Sequence, residues 1–270
     1  MNYNSSNENS NNDIKKYWEK RLNDNYGLHG TGYIGLGKNY NIWMYKVRKH
    51  IVNKKLQKFQ SNFSSANVLD IGSGSGFYVD IWKHLGVKNI TGCDITSVSV
   101  KNLSNKYPEG EFLEFDISSN VIPISKQFDY VTAFDVLFHI VDDEKYAKAI
   151  SNIYNLLKPN GILFFSENFI HKKTARSRFQ STRSLDEIQS LLQRSGFQIL
   201  ERSPMFYLMN TPVDSDGVII NKFWHLVKKV ASKGETFGRL VGGILYPFEL
   251  MMISTKSESP STEIMICKKQ

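Results

Sequence analysis

Apolar positions along the chain keep two rhythms that alternate from residue 67 onward. Short runs that read as strands carry Val68, Leu69 and Ile71, then Ile90 to Ile95, then Phe112, Phe115 and Ile117 in a polar-apolar alternation. Further runs occupy Phe128 to Ile140, Gly161 to Asn168, Gly196 to Glu201 and Thr262 to Lys268. Between them, apolar residues recur at helical spacing over Phe77 to Trp82, Ser97 to Tyr107, Asp143 to Leu157 and Ser184 to Ser195. Ser184 followed by Glu187 predicts a capping box, and Ser97 followed by an apolar stretch predicts an N-cap. Strand and helix in alternation predict an α/β fold with parallel strands and right-handed crossovers.

The flanks follow a different pattern. Ile14, Tyr17, Trp18 and Leu22 make an amphipathic stripe over Asp13 to Leu22, and Trp43, Val47, Ile51, Leu56 and Phe59 make another over Ile42 to Phe59. The glycine- and aromatic-rich stretch Tyr26 to Tyr40 reads as irregular. Residues 203–261 are too long for a hairpin loop and too apolar for a linker. The expected organisation is a disordered leader (1–12), a helical and aromatic lid (13–60), a core (61–202 and 262–270) and a cap-like, mainly helical insertion (203–261).

Candidate chemistry begins where the first strand ends. Asp70-Ile71-Gly72-Ser73-Gly74-Ser75-Gly76 places three glycines, two apart, before a helix whose free N–H groups suit a polar ligand. A carboxylate beside the loop repels a pyrophosphate and attracts a cation. Asp94 follows Gly76 by 18 residues, near the spacing of an acid that reaches ribose hydroxyls from the second strand. Asp116 and Asp135 end the next two strand candidates, so four acids occupy successive carboxyl ends, where open α/β sheets bind ligands.

The D-x-G-x-G-x-G segment, the F-D-x-V run at Phe128 to Val131 and L-K-P-N-G-I-L at Leu157 to Leu163 together resemble the class I S-adenosylmethionine (SAM) dependent methyltransferases of the small-molecule branch. Asn160 stands where that family has glycine, and asparagine tolerates positive φ. The resemblance implies a Rossmann-like seven-stranded sheet in the order 3-2-1-4-5-7-6, last strand antiparallel, with helices on both faces. It implies SAM as cofactor, held by Asp70, Ile71, Gly72, Ser73, Gly74, Gly76, Asp94, Ile95, Asp116, Ile117, Asp135 and Val136, with no metal. His139, just past strand four, and His171, past strand five, are the candidate bases. Tyr17, Tyr33, Tyr40, Phe138, Phe206, Tyr207 and Trp224 are the candidate acceptor-binding aromatics.

Composition and charge narrow the acceptor. In 270 residues, 41% hydrophobic and 22% charged, there is no export signal and no apolar run long enough to span a membrane, which predicts a cytoplasmic protein. Cys93 and Cys267 sit in apolar runs and read as reduced, buried thiols. The net charge of +8 is concentrated at Lys46 to Lys58 and Lys172 to Arg183. No N-P-P-Y or D-P-P-Y run and no Pro-Cys nucleophile is present, so O-methylation of a small, partly apolar organic acceptor is the leading reading. N-methylation of a small amine is the alternative, as is an RNA or protein methyltransferase that uses the basic clusters. The oligomeric state is left open.

Overall fold

The computed structural model describes residues 4–60 and 62–270, with side chains described from Asp13 onward. Five parallel strands, β1 (Asn67–Ile71), β2 (Asn89–Asp94), β3 (Glu111–Glu114), β4 (Phe128–Ala133) and β5 (Leu157–Glu167), are joined by helices α4 (Phe77–His84), α5 (Ser97–Lys106) and α6 (Asp143–Leu156). A small hairpin, β6 (Ala175–Arg176) with β7 (Ser181–Thr182), occupies the basic stretch, and α7 (Leu185–Arg194) follows with the expected Ser184–Glu187 capping box. Strand β8 (Phe197–Pro204) and the antiparallel β9 (Glu263–Lys269) complete a seven-stranded sheet in the order β3-β2-β1-β4-β5-β9-β8. With the hairpin left out of the count, that is the 3-2-1-4-5-7-6 arrangement, and the turn into the core of β5 has Asn160 at φ 63°.

Alternation along each strand divides the core in two. Val68, Phe164 and Ile266 face one apolar layer, while Leu69, Phe165 and Cys267 face the other, built with α6 and α7. The first layer is covered by α3 (Gly37–Phe59) and α4, and also by α8 (Val218–Ala231) and α9 (Glu235–Thr255), the latter laid along α3. Cys93 and Cys267 are both buried and free.

Several expectations are corrected. Helix α1 runs Asn4–Asp24, so ordered helix begins inside the stretch read as a leader, whose first three residues lie outside the described ones. The segment Tyr26 to Tyr40 is not irregular throughout: α2 (Leu28–Thr31) and a 3-10 turn (Ile34–Leu36) lead straight into α3. Tertiary bonds decide this, because Arg21 Nε donates to the Gly30 carbonyl at 2.7 Å and Asn41 Nδ2 to the Tyr33 carbonyl at 2.8 Å. At α5 the N-cap is Thr96, not Ser97. The Glu19 carboxylate of α1 takes the capping role, accepting from the N–H of Ser97 at 2.9 Å and of Val98 at 3.1 Å. The 203–261 insertion does not cap the carboxyl ends of the strands: α8 and α9 pack on α3 and supply Trp224, Val227 and Ile253 to the first core layer.

Candidate active site

A cavity of about 360 Å³ opens at the carboxyl ends of β1 to β4, in the size range of small-ligand sites. Its floor is the β1–α4 loop, whose backbone turns at Gly72 (φ 67°) and Gly74 (φ 50°), conformations that L side chains rarely adopt. A Cβ at Gly72 would stand 2.2 Å from a Val136 methyl, so glycine there also permits the loop and the end of β4 to touch. The loop is pinned to β2 by Ser73 N–H donating to the Cys93 carbonyl at 3.0 Å and Gly74 N–H donating to Asp94 Oδ2 at 2.9 Å.

Ile71, Gly72, Ser73, Gly74, Asp94, Ile95, Asp116, Ile117, Asp135 and Val136 all line the cavity, as the sequence led us to expect. Asp70 and Gly76 do not; they lie behind the loop. Asp70 is buried, with Oδ1 accepting from Thr132 Oγ1 at 2.6 Å, the residue opposite it in the β1–β4 register. Burial pushes its carboxyl up to about 7, and its Oδ2 has no partner. Asp94 is also raised by burial and pulled back by its bonds from Thr96 and Gly74. Each carboxylate oxygen accepts two bonds, so Asp94 Oδ2 keeps capacity for one hydroxyl donor. Asp116 Oδ1 accepts from Ser118 N–H at 2.8 Å and from its hydroxyl at 2.7 Å.

Asp135 ends β4 at φ 59°, a left-handed conformation held by its N–H donating to Ser166 Oγ at 2.7 Å. Its carboxylate meets Arg48 Nε at 2.8 Å. Burial opposes the charge on Arg48, yet Asp135 holds the guanidinium protonated, and the group lies between the rings of Tyr45 and Phe206, 4.9 and 4.7 Å from their centres. Arg48 belongs to the first basic cluster but is buried. Its place one turn after Tyr45 on the sheet-facing side of α3 was the signal that it is buried.

His139 lines the cavity and His171 does not. The His139 ring is half-buried, Nδ1 donates to the Phe179 carbonyl at 2.8 Å, and Nε2 is therefore the acceptor nitrogen. Burial lowers its pKa to about 4, so it is neutral at ordinary pH. His171 is half-exposed and bonded to Asp214 at 2.6 Å in a separate surface depression, which corrects its assignment as a base.

The acceptor-binding aromatics are corrected as a group, since none of the seven lines the cavity. Tyr17 stacks on Phe179, and Phe138 lies against His139 from outside. Tyr33 neighbours the buried Trp224, Tyr40 donates to the Met209 carbonyl, Phe206 backs Arg48, and Tyr207 donates its N–H to Glu249. The wall comes instead from Ile14, Trp18 and Leu22 of α1, from Tyr45, Phe77 and Tyr78, and from Phe115 and Phe134. Trp18 meets the His139 ring edge-on at 5.0 Å. Trp18 and Leu22 were visible as the apolar stripe of α1, but a stripe does not say whether it faces a core or a ligand.

Carboxylates at the strand ends, glycine-lined backbone and a mostly aromatic wall fit a nucleoside that carries positive charge. Among the described residues, the one cation in the lining, Lys15, is tied to Glu114 at 2.5 Å. A pyrophosphate would meet Asp94 and Asp116 without a counter-charge, so the donor set fits SAM and not a dinucleotide. The class this defines is the Rossmann-like methyltransferase.

Comparison with known proteins agrees. Residues 69–165 match the family model described as a methyltransferase domain, and the chain carries a class I SAM-dependent methyltransferase domain. It is 28% identical over 211 residues to the juvenile hormone acid O-methyltransferase of Drosophila melanogaster, covering 71% of this chain and 66% of that protein. It is 30% identical over 125 residues to a ubiquinone biosynthesis O-methyltransferase of Coxiella burnetii, covering 43% and 51%. The chain thus spans about half to two thirds of the length of these relatives. The structure of magnesium protoporphyrin IX methyltransferase from Synechocystis PCC 6803 with bound SAM superposes with a TM-score of 0.59 over 97% of both chains, at 16% identity, a likeness of fold.

Proposed function

We propose that this protein transfers a methyl group from SAM to a hydroxyl or carboxyl oxygen of a small, partly apolar organic acceptor. The observation that carries the reading is the single cavity wall that holds Asp94 and Asp116 on one side and the Nε2 acceptor of His139 among aromatic rings on the other. Both curated relatives above are O-methyltransferases of small molecules by name, which supports the choice of atom.

Bound SAM supplies a methyl group on a positively charged sulfur. Asp94 would offer its one remaining lone pair to a ribose hydroxyl, and Asp116, Ile95 and Ile117 at the ends of β2 and β3 would hold the base. The wall of Trp18, Tyr45, Tyr78 and Phe134 excludes water, so the acceptor oxygen is the nucleophile present. An alcohol oxygen that forms a bond to the methyl carbon becomes a strong acid, and even a base held near pKa 4 takes its proton. His139 Nε2 is the atom that receives it. Both basic clusters are largely spent inside the chain, with Lys55 and Lys58 on Glu201 and Arg176 and Arg183 on Asp143, which favours a small acceptor over RNA.

The test is incubation with methyl-labelled SAM and an extract of small molecules, with labelled product read by mass spectrometry. Calorimetry with SAM, its demethylated product SAH, and NAD accompanies it. Binding of NAD in place of SAM would overturn the reading. His139→Ala is expected to lower turnover of an alcohol by roughly 10²- to 10⁴-fold with SAH affinity retained, and undiminished turnover at every pH would remove the base.

A further inference from the structure

Helix α9 carries its apolar residues on the outside. Phe237, Leu240, Ile244, Phe248 and Met251 are all about half exposed or more, and at about 100° per residue they fall within a sector of roughly 80°. The opposite side, with Gly238, Gly242, Glu249 and Ile253, is the one buried. Gly242 and Gly243 let α9 lie close on Trp43 of α3. Beside it, α8 exposes Ile219 at 86% and Leu226 at 58%. A continuous apolar strip of this kind, about 20 Å long at 1.5 Å per residue, is uncommon on a lone water-facing surface.

We propose that the outer faces of α8 and α9 dock this protein onto an anionic lipid bilayer, on which it lies without crossing it. No described helix is long and apolar enough to span a membrane. Residues 218–255 contain five Lys or Arg and two Glu. Neither glutamate faces the strip as a free charge: Glu249 is buried and accepts from the N–H of Tyr207 and Leu208, and Glu235 accepts from the N–H of Lys38 and Asn39. Lys222 and Lys229 stand exposed on α8 next to Leu226, and Arg239 is exposed on α9. Lys46, 3.8 Å above the Trp43 ring that in turn meets Tyr246, marks the α3 edge. Exposed apolar residues bordered by cations and by half-buried Trp and Tyr are what an interfacial helix presents to anionic headgroups. A second copy of the chain would press these same cations together with no free carboxylate on the strip to meet them, which disfavours a dimer through this face.

The test uses the full chain with vesicles of phosphatidylcholine and of phosphatidylcholine with phosphatidylserine, read by co-sedimentation. Binding is expected to the serine-containing vesicles, falling as salt rises. Ile244→Glu/Phe248→Glu is expected to weaken it by about tenfold or more, from the apolar area no longer buried. Lys222→Glu/Lys229→Glu, which leaves every apolar contact in place, removes the preference for phosphatidylserine. Unchanged SAH affinity and helix content show that each variant is folded. Wild-type protein that fails to bind anionic vesicles overturns the proposal. So does a dimer by light scattering that Ile244→Glu/Phe248→Glu dissolves, since the strip would then be covered by a second copy.

Discussion

Arg48→Met removes the guanidinium that neutralises Asp135 under the cavity. Breaking a fully buried ion pair from one side costs about 3–5 kcal/mol. Arg48 is 9% exposed, but the Asp135 side chain is 24% exposed toward the cavity, so water meets part of the stranded charge. We therefore expect a loss of about 2–3 kcal/mol, including roughly 0.5–1 kcal/mol from stacking on Tyr45 and Phe206, with Met filling most of the volume. Asp135→Asn keeps an oxygen that accepts from Arg48 Nε and should cost less, about 1–2 kcal/mol. The double variant leaves no buried charge, so its loss should fall short of the sum by about 1–2 kcal/mol. Urea unfolding is the assay: with a slope of about 2–3 kcal/mol/M, Arg48→Met should lower the midpoint by about 1 M. A single-variant loss below about 1 kcal/mol, or strictly additive effects, would refute the view that this pair supports the end of β4.

Other outcomes follow from the same contacts. Gly72→Ala places a Cβ 2.2 Å from Val136 at φ 67° and should cost about 2–3 kcal/mol and abolish SAH binding, checked by melting and calorimetry. Glu19→Ala uncaps α5 and loosens α1 from the core by about 1 kcal/mol, so SAH should dissociate about fivefold faster, followed through Trp18 fluorescence in stopped flow. Burial holds His139 near pKa 4 against the ordinary 6.5, so the unfolded chain binds the extra proton between those values. Its contribution is fully present above about pH 6.5 and is lost as pH falls toward 4, up to about 3 kcal/mol. His139→Asn should flatten that acid limb of stability relative to wild type in urea titrations across the window. An unchanged pH dependence would place the imidazole in water.

The core elements, and the cavity lining by ten of the twelve residues expected to hold the cofactor, were legible because each is local. A parallel strand buried on both faces is an apolar run, a left-handed turn demands glycine or Asn160, and a strand-end acid announces itself by position. The acceptor side was not legible. The same helical stripe serves as a cavity wall in α1 and as a plug against α3 in α8, and Tyr40, Phe206 and Trp224 look in sequence no different from Trp18 and Tyr45. Nor does a lysine- and arginine-rich stretch reveal that one member, Arg48, turns inward to pair with an aspartate 87 residues away.

By itself, the sequence determined the strands, the helices between them and the glycine turn after β1, since those depend on backbone conformation and on the periodicity of burial, while the order of the strands came from the family resemblance. Only the tertiary structure decided which aromatics line the cavity, that His139 and not His171 lies among them, and that the insertion turns away from it. Those outcomes depend on how α1, α3 and α9 pack against the sheet, and packing is set by contacts between residues far apart in the chain.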